Sequence, residues 1–129
     1  MAELGLVLPV LPGKRLTLQA FADALAGERR GEYELSQASV IKESWFLQPT
    51  PHGDLLLVHF EAPDPSAVLT ALAVSEEPFD VWFREQTLDI TGVDLYRSRP
   101  HATHARSTRA YFSLGTHLVL GRRFRRKRS

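Results

Sequence analysis

Glu43 is the residue of this chain best suited by its surroundings to transfer a proton. It lies in the first of two β-rich runs, Val40–Gln48 and Asp54–Glu61, which a short Pro- and Gly-containing segment joins into a predicted hairpin. With a loop of two or four residues, Glu43 shares its face with Trp45, Leu47, Leu56, Val58 and Phe60. Burial there would raise the pKa of the carboxyl, as a general acid or base near neutral pH requires. The alternative is a structural role, in which Glu43 pairs with an arginine such as Arg15 or Arg84, or with water.

His59 is the second candidate for proton transfer, and it lies on the opposite face of the same hairpin. In the same register that face also carries Lys42, Ser44, Phe46, Gln48, Leu55, Leu57 and Glu61. An imidazole beside Glu61 could shuttle a proton, and the alternative is a half-exposed histidine at a dimer interface. Ser44, His59 and Glu61 supply the residue types of a hydrolytic triad. We exclude that site because no Gly-x-Ser-x-Gly turn presents the serine.

Several other kinds of chemistry are also excluded by residue type. The chain has no cysteine, which removes disulfides, thiol nucleophiles, iron–sulfur clusters and Cys-based zinc sites. His101 and His104 have a spacing that suits two metal ligands, but no acid or cysteine follows them, so we predict no metal site. The absence of a phosphate-binding glycine loop or dinucleotide motif leads us to predict no cofactor.

Two elements are predicted before the hairpin, together with a less regular stretch. Leu4–Val10 is a short apolar run that is typical of a buried strand. An amphipathic helix follows from Lys14, with apolar residues at 18, 21, 22 and 25 and a stop at Gly27. Residues 28–39 are more polar and form a second helical stretch that Gly31 interrupts.

Two helices and a strand are predicted after the hairpin. Asp64 and Pro65 begin the first helix, as an N-cap acceptor and a proline at the first helical position. The second covers Pro78–Thr91, and a short strand covers Val93–Tyr96. The resulting order βαββαβ predicts the α+β class with a ferredoxin-like fold and a four-stranded antiparallel sheet over residues 1–96.

The charges divide the chain into two parts. All fifteen acidic residues lie between Glu3 and Asp94, whereas residues 97–129 hold ten of the sixteen basic residues. This C-terminal tail, which we expect to be flexible, suits a polyanion such as nucleic acid. A solvated tail, a tail that folds back on the acidic domain and a frame-shifted extension are the alternatives, and a single basic cluster makes nucleic-acid binding the less favoured role.

Three blocks of the sequence resemble a small family of uncharacterised bacterial proteins with a ferredoxin-like, dimeric α+β barrel fold. The blocks are Leu8–Lys14, Glu43–Gln48 with Gly53–Asp54, and Pro78–Glu85 with Gly92–Leu95, and the resemblance covers about residues 5–96. The wider superfamily to which this resemblance points includes cofactor-independent antibiotic-biosynthesis monooxygenases, polyketide cyclases, muconolactone isomerases and heme-degrading enzymes. The resemblance implies an apolar ligand cavity between sheet and helices, which five aromatic residues would line or simply fill: Trp45, Phe60, Phe79, Trp82 and Phe83. Asp80 would cap the last helix or reach into that cavity.

These observations lead to one main functional hypothesis. We expect a cytoplasmic homodimer, because one face of such a sheet would be too apolar to leave in water and because neither a signal peptide nor a membrane span is evident. It would bind a hydrophobic small molecule and catalyse a cofactor-independent oxygenation, cyclisation or isomerisation, with Glu43 or His59 transferring a proton. The alternatives are a non-catalytic regulatory module whose tail binds nucleic acid or another polyanion, and a structural dimer with a filled cavity.

Overall fold

The computed structural model describes residues 2–94 and the strand backbone of residues 117–123. Its elements are β1 (Ala2–Val10), α1 (Arg15–Ala26), α2 (Arg30–Ser36), β2 (Lys42–Thr50), β3 (Gly53–Ala62), α3 (Pro65–Val74), α4 (Pro78–Thr91) and β4 (His117–Arg123). Three antiparallel strands in the order β1-β3-β2 form the sheet of residues 2–94. The backbone of β4 pairs antiparallel with β2. The predicted α+β class and the antiparallel sheet are confirmed.

The β2–β3 hairpin has the shorter of the two loops that the register argument requires. Thr50 pairs with Gly53, so only Pro51 and His52 form the turn. Glu43 consequently lies opposite Phe60, and Trp45 lies opposite Val58. The predicted division of the hairpin side chains between the two faces of the sheet is therefore confirmed.

The first helices also follow the sequence pattern closely. In α1 the buried residues are those at the predicted apolar positions: Leu18, Phe21, Ala22 and Leu25. Gly27 is the C-cap of this helix, as expected. Gly31 lies inside α2 and does not interrupt it, so that part of the prediction is wrong, and the residue of α2 that is buried is Tyr33.

The last two helices begin as predicted, and polar contacts from other residues hold their ends. The Asp64 carboxylate accepts a hydrogen bond from the backbone N–H of Ala67 at 3.2 Å, which makes it the N-cap of α3. At the other end of α3, the Arg84 guanidinium donates to the carbonyl oxygens of Leu72 and Ser75 at 2.7 and 2.6 Å. Carbonyls at the end of a helix lack partners within it, so Arg84 acts as a C-terminal cap.

The stretch after α4 differs from the prediction of a strand at Val93–Tyr96. Val93 and Asp94 are not in a strand, and the rest of that stretch lies outside the described residues. Gly92 ends α4 in the left-handed region with φ of 69°. The backbone N–H of Val93 then donates to the Thr91 hydroxyl at 3.1 Å, in place of a bond to a neighbouring strand. The strand prediction is wrong at Val93 and Asp94 for this reason.

The helices pack on one face of the sheet and enclose the core with it. The strands contribute Leu4, Leu6, Leu8, Val10, Trp45, Leu47, Leu56, Val58, Phe60 and Ala62. The helices contribute Leu18, Phe21, Ala22, Leu25, Tyr33, Leu72, Phe79, Phe83 and Ile90. On the opposite face Leu57 is buried, while its register partner Val7 is about half exposed.

Candidate functional site

Glu43 is buried on the helix-facing side of β2, with 5% of its surface exposed. The Tyr33 hydroxyl of α2 donates a hydrogen bond to Glu43 Oε1, and Tyr33 is itself completely buried. The two arginines predicted as partners of Glu43 bind elsewhere. Arg15 binds Asp54, and Arg84 caps α3. The expected pairing of Glu43 with Arg15 or Arg84 is therefore wrong.

A cavity of about 40 Å³ lies between the sheet and the helices, and Glu43 is part of its wall. The other lining residues are Leu6, Leu8, Gln37, Trp45, Leu56, Val58, Phe60, Val68, Leu69, Leu72, Phe83 and Thr87. A single water needs roughly 10–15 Å³ of such space, so the cavity has room for about three water-sized groups. Glu43 thus lines a small and largely apolar space.

The five aromatic residues expected around the cavity divide into two groups. Trp45, Phe60 and Phe83 line it. Phe79 and Trp82 do not belong to its wall; their rings pack 5.6 Å apart, centroid to centroid. The Arg29 guanidinium lies 4.1 Å from the centre of the Trp82 ring, within the range of a cation–π contact.

Two nitrogen-bearing side chains, those of Trp45 and Gln37, line the same cavity. Trp45 is 2% exposed, and its indole Nε1 is buried without a hydrogen-bond partner in the described part of the chain. Gln37 is 4% exposed. The Thr87 hydroxyl, by contrast, donates within its own helix to the carbonyl of Phe83 at 2.9 Å. An unpaired buried donor costs about 1–3 kcal/mol, so such groups are rare without an additional partner.

Tyr33 and Gln37 were not predicted from the sequence as members of this site. Both lie in the polar stretch of residues 28–39, where apolar periodicity is absent and only one turn of helix faces the core. The one available signal was an aromatic residue in a polar segment, since a tyrosine there is suited to place a hydroxyl beside a buried group.

His59 lies on the other side of the sheet from Glu43, so the two proton-transfer candidates do not share a site. It pairs in register with Ser44, and its Nε2 lies 3.7 Å from Oε2 of Glu3. Glu3 is directly opposite Glu61 on the neighbouring strand. Potential ligand atoms of Glu3, His59 and Glu61 all lie within 4.8 Å of one another. Of the described residues, these three could hold a divalent cation, with one nitrogen and two carboxylate ligands.

Asp80 neither caps α4 nor lines the cavity, which corrects both expected roles. It lies in the first turn of α4 and is 8% exposed. Its two carboxylate oxygens accept hydrogen bonds from the hydroxyls of Ser36 and Ser75, the latter at 2.6 Å. Ser36 ends α2 and Ser75 follows α3, so Asp80 connects the ends of three helices that surround the cavity.

Arg15 and Asp54 form a bidentate ion pair at the start of β3. Nε and Nη2 of the guanidinium each donate to one carboxylate oxygen at 2.8 Å. This hydrogen bonding holds the pKa of Asp54 below its usual value and raises that of Arg15. The pair is exposed on the Arg15 side, so solvent screens it and its role is positional.

Comparison of the chain with family models, curated proteins and solved structures found no match in any of the three. No helix among the described residues has the length and apolar character needed to span a membrane. His101, His104 and most of the basic tail lie outside the described residues. The site is therefore defined by its geometry alone.

Proposed function

We propose that this chain is a small-molecule-binding protein of the ferredoxin-like, dimeric α+β barrel type, whose site is the cavity between the sheet and the helices. Its substrate would be a hydrophobic metabolite, and the reaction a cofactor-independent oxygenation, cyclisation or isomerisation. Glu43 would transfer the proton. The proposal rests on the position of the Glu43 carboxyl group. It accepts a hydrogen bond from the Tyr33 hydroxyl and lies in the wall of an otherwise mostly apolar cavity.

The position of β3 supports the fold assignment within this proposal. β3 lies between β1 and β2, and both neighbours are antiparallel to it. β1, α1 and β2 therefore form a split βαβ unit, which is the first half of a ferredoxin-like fold. Among the described strands, β1 pairs with β3 alone, and β4 pairs with β2 on the other side of the sheet.

The surroundings of Glu43 support the catalytic part of the proposal. A general acid or base must be shielded from bulk water and held in one orientation. Burial supplies the first condition, and the hydrogen bond from Tyr33 supplies the second. His59 would have to serve a separate site, because it lies on the opposite face of the sheet.

Hydrogen–deuterium exchange in D₂O tests the role of Glu43 without knowledge of the natural substrate. Small enolisable ketones and lactones would be incubated with the protein, and loss of the proton α to the carbonyl would be followed by NMR. We expect Glu43→Gln to slow any protein-catalysed exchange by about 10²–10⁴-fold. Glu61→Gln is the matched control, because it makes the same change on the other face of the sheet. A Glu43→Gln protein that keeps the wild-type exchange rate would refute the assignment.

We propose a dimer because the sheet face that the helices leave uncovered exposes an apolar side chain. Val7 exposes about half of its surface there, and burying such a side chain is favourable by roughly 1 kcal/mol or more. Analytical ultracentrifugation should find a dimer that dissociates on Val7→Glu. A wild-type monomer at micromolar concentrations would contradict this part.

The second candidate function is a regulatory module whose basic tail binds nucleic acid or another polyanion. It is favoured by the ten basic and no acidic residues of segment 97–129. Full-length protein with residues 125–128 changed to glutamine should then lose affinity for DNA or RNA, and the steep salt dependence of binding should flatten. Wild-type protein that binds neither nucleic acid at low salt would exclude this function.

A further inference from the structure

We infer that the cavity binds the carbonyl group of a compact, uncharged molecule, which accepts hydrogen bonds from the indole N–H of Trp45 and the side-chain amide of Gln37. The inference rests on the proposed small-molecule site and specifies the chemical class that the site recognises. The inference depends on the hydrogen-bond donors in the cavity wall. It does not depend on whether Glu43 transfers a proton.

The first argument is a buried hydrogen-bond donor that the protein itself leaves unsatisfied. Trp45 Nε1 can only donate, and it is buried without an acceptor in the described part of the chain. Gln37 is 4% exposed as a whole residue, and its side-chain amide can donate a hydrogen bond. Both side chains line the same cavity as Glu43. An occupant that supplies an acceptor would therefore remove a cost of about 1–3 kcal/mol for the indole alone.

The second argument concerns the charge of the occupant. The lining contains no Lys, Arg or His, and its one ionisable residue is Glu43. An anionic ligand would lie beside this carboxyl group and would find no basic side chain in the wall, which is costly in a medium of low dielectric constant. A neutral carbonyl oxygen supplies the acceptor without that cost.

The third argument concerns size and the rest of the surface. The cavity of about 40 Å³ accommodates about three water-sized groups, so it suits a molecule of a few heavy atoms or the end of a longer one. Leu, Val and Phe side chains form most of the wall. A polyol or sugar would bury hydroxyl groups against them without partners, which is unfavourable.

Three probes of the same shape isolate the carbonyl: acetone, isobutene and acetate are planar and have four heavy atoms each. The chain has two tryptophans, so an ¹H–¹⁵N spectrum contains two indole N–H signals, which a Trp45→Phe variant assigns. We expect acetone, titrated at pH 7.5, to shift the Trp45 signal in a saturable manner. Trp82 is the internal control, because it does not line the cavity, and its signal should stay in place. Isobutene should bind at least fivefold more weakly than acetone, and acetate should not bind.

Two variants test the donors separately. Trp45→Phe and Gln37→Leu should each weaken acetone binding about fivefold or more, the loss expected for one hydrogen bond. Gln48→Leu is the matched control, since Gln48 lies on the opposite face of β2, and it should bind acetone as the wild type does. The comparison of the three probes uses wild-type protein only, so it remains decisive if a variant fails to fold.

Each outcome distinguishes this inference from the proposed function. If acetone and isobutene bind equally well, or if neither moves the Trp45 signal because water occupies the cavity, the carbonyl inference is overturned. If acetone binds through Trp45 but Glu43→Gln leaves deuterium exchange unchanged, the inference holds and the catalytic proposal fails.

Discussion

The Tyr33 hydroxyl donates a hydrogen bond to the Glu43 carboxylate, and this contact joins α2 to β2 inside the core. Neither residue is more than 5% exposed. The short helix α2 buries one side chain, Tyr33, and that side chain reaches the carboxyl group of the candidate site. The position of α2 and the orientation of Glu43 are therefore interdependent.

Tyr33→Phe should destabilise the protein by roughly 1–3 kcal/mol, because it removes a hydroxyl donor from a buried carboxyl group while it keeps the ring. Urea unfolding would measure the loss. In a double-mutant cycle, the effect of Tyr33→Phe should become clearly smaller in a Glu43→Gln background. Two strictly additive changes would show that the hydroxyl does not stabilise the protein through Glu43.

Asp80→Asn should destabilise the protein by about 2–3 kcal/mol, since the carboxylate accepts hydrogen bonds from Ser36 and Ser75. Hydrogen exchange should speed up at the end of α3 and the start of α4. Asp89→Asn is the matched control, because it breaks the surface pair with Lys14 and should cost less than 1 kcal/mol. Equal losses in the two variants would contradict the role given to Asp80.

Gly92→Ala should destabilise the protein by roughly 1–2 kcal/mol, because a left-handed φ disfavours a side chain. The new Cβ would also lie 3.2 Å from both Cδ atoms of Leu11. Gly31→Ala should instead stabilise by about 0.5–1 kcal/mol, since Gly31 lies within α2 and a Cβ there meets no atom within 4 Å. Thermal unfolding measures the melting temperature of both variants. If both melting temperatures moved in the same direction, the contrast between the two glycines would be refuted.

Asp54→Asn should make the free energy of unfolding less sensitive to pH in the acid range. Because Arg15 lowers the pKa of Asp54 in the folded state, the ionised carboxylate contributes stability above its unfolded pKa of about 3.9. That contribution is lost as the pH falls through the lower folded pKa. Urea midpoints between pH 2.5 and 6 should therefore fall less steeply for Asp54→Asn and for Arg15→Gln than for the wild type. Parallel curves for all three proteins would exclude this coupling, which should also weaken in high salt.

Patterns that span several residues predicted the fold well. The register of the hairpin followed from alternation and from the loop length, because a two-residue turn permits one pairing only. α1 and the start of α3 followed from apolar spacing and from the Asp64–Pro65 cap. The predicted last strand was wrong at Val93 and Asp94, where the Thr91 hydroxyl accepts a hydrogen bond from the backbone N–H of Val93, a contact that composition does not reveal.

Individual polar partners of the site were harder to predict from the sequence. The face on which Glu43 lies was predicted, but its arginine partners were not correct. Arg15 binds Asp54 at the start of β3, and Arg84 binds carbonyls at the C-terminal end of α3. Tyr33 reaches Glu43 from a segment with no apolar period. Such contacts depend on which helices meet in space, and the sequence pattern along one element carries no information about that.

The contacts that hold α3 in place have a consequence for the size of the cavity. This helix contains no charged residue, buries Leu72 alone, and supplies three residues of the cavity wall. Its polar anchors are the Asp64 cap at one end and Arg84 at the other, and neither anchor lines the cavity. Both anchors act on the helix from outside the wall, so the size of the space beneath it depends on residues that no molecule inside it would touch.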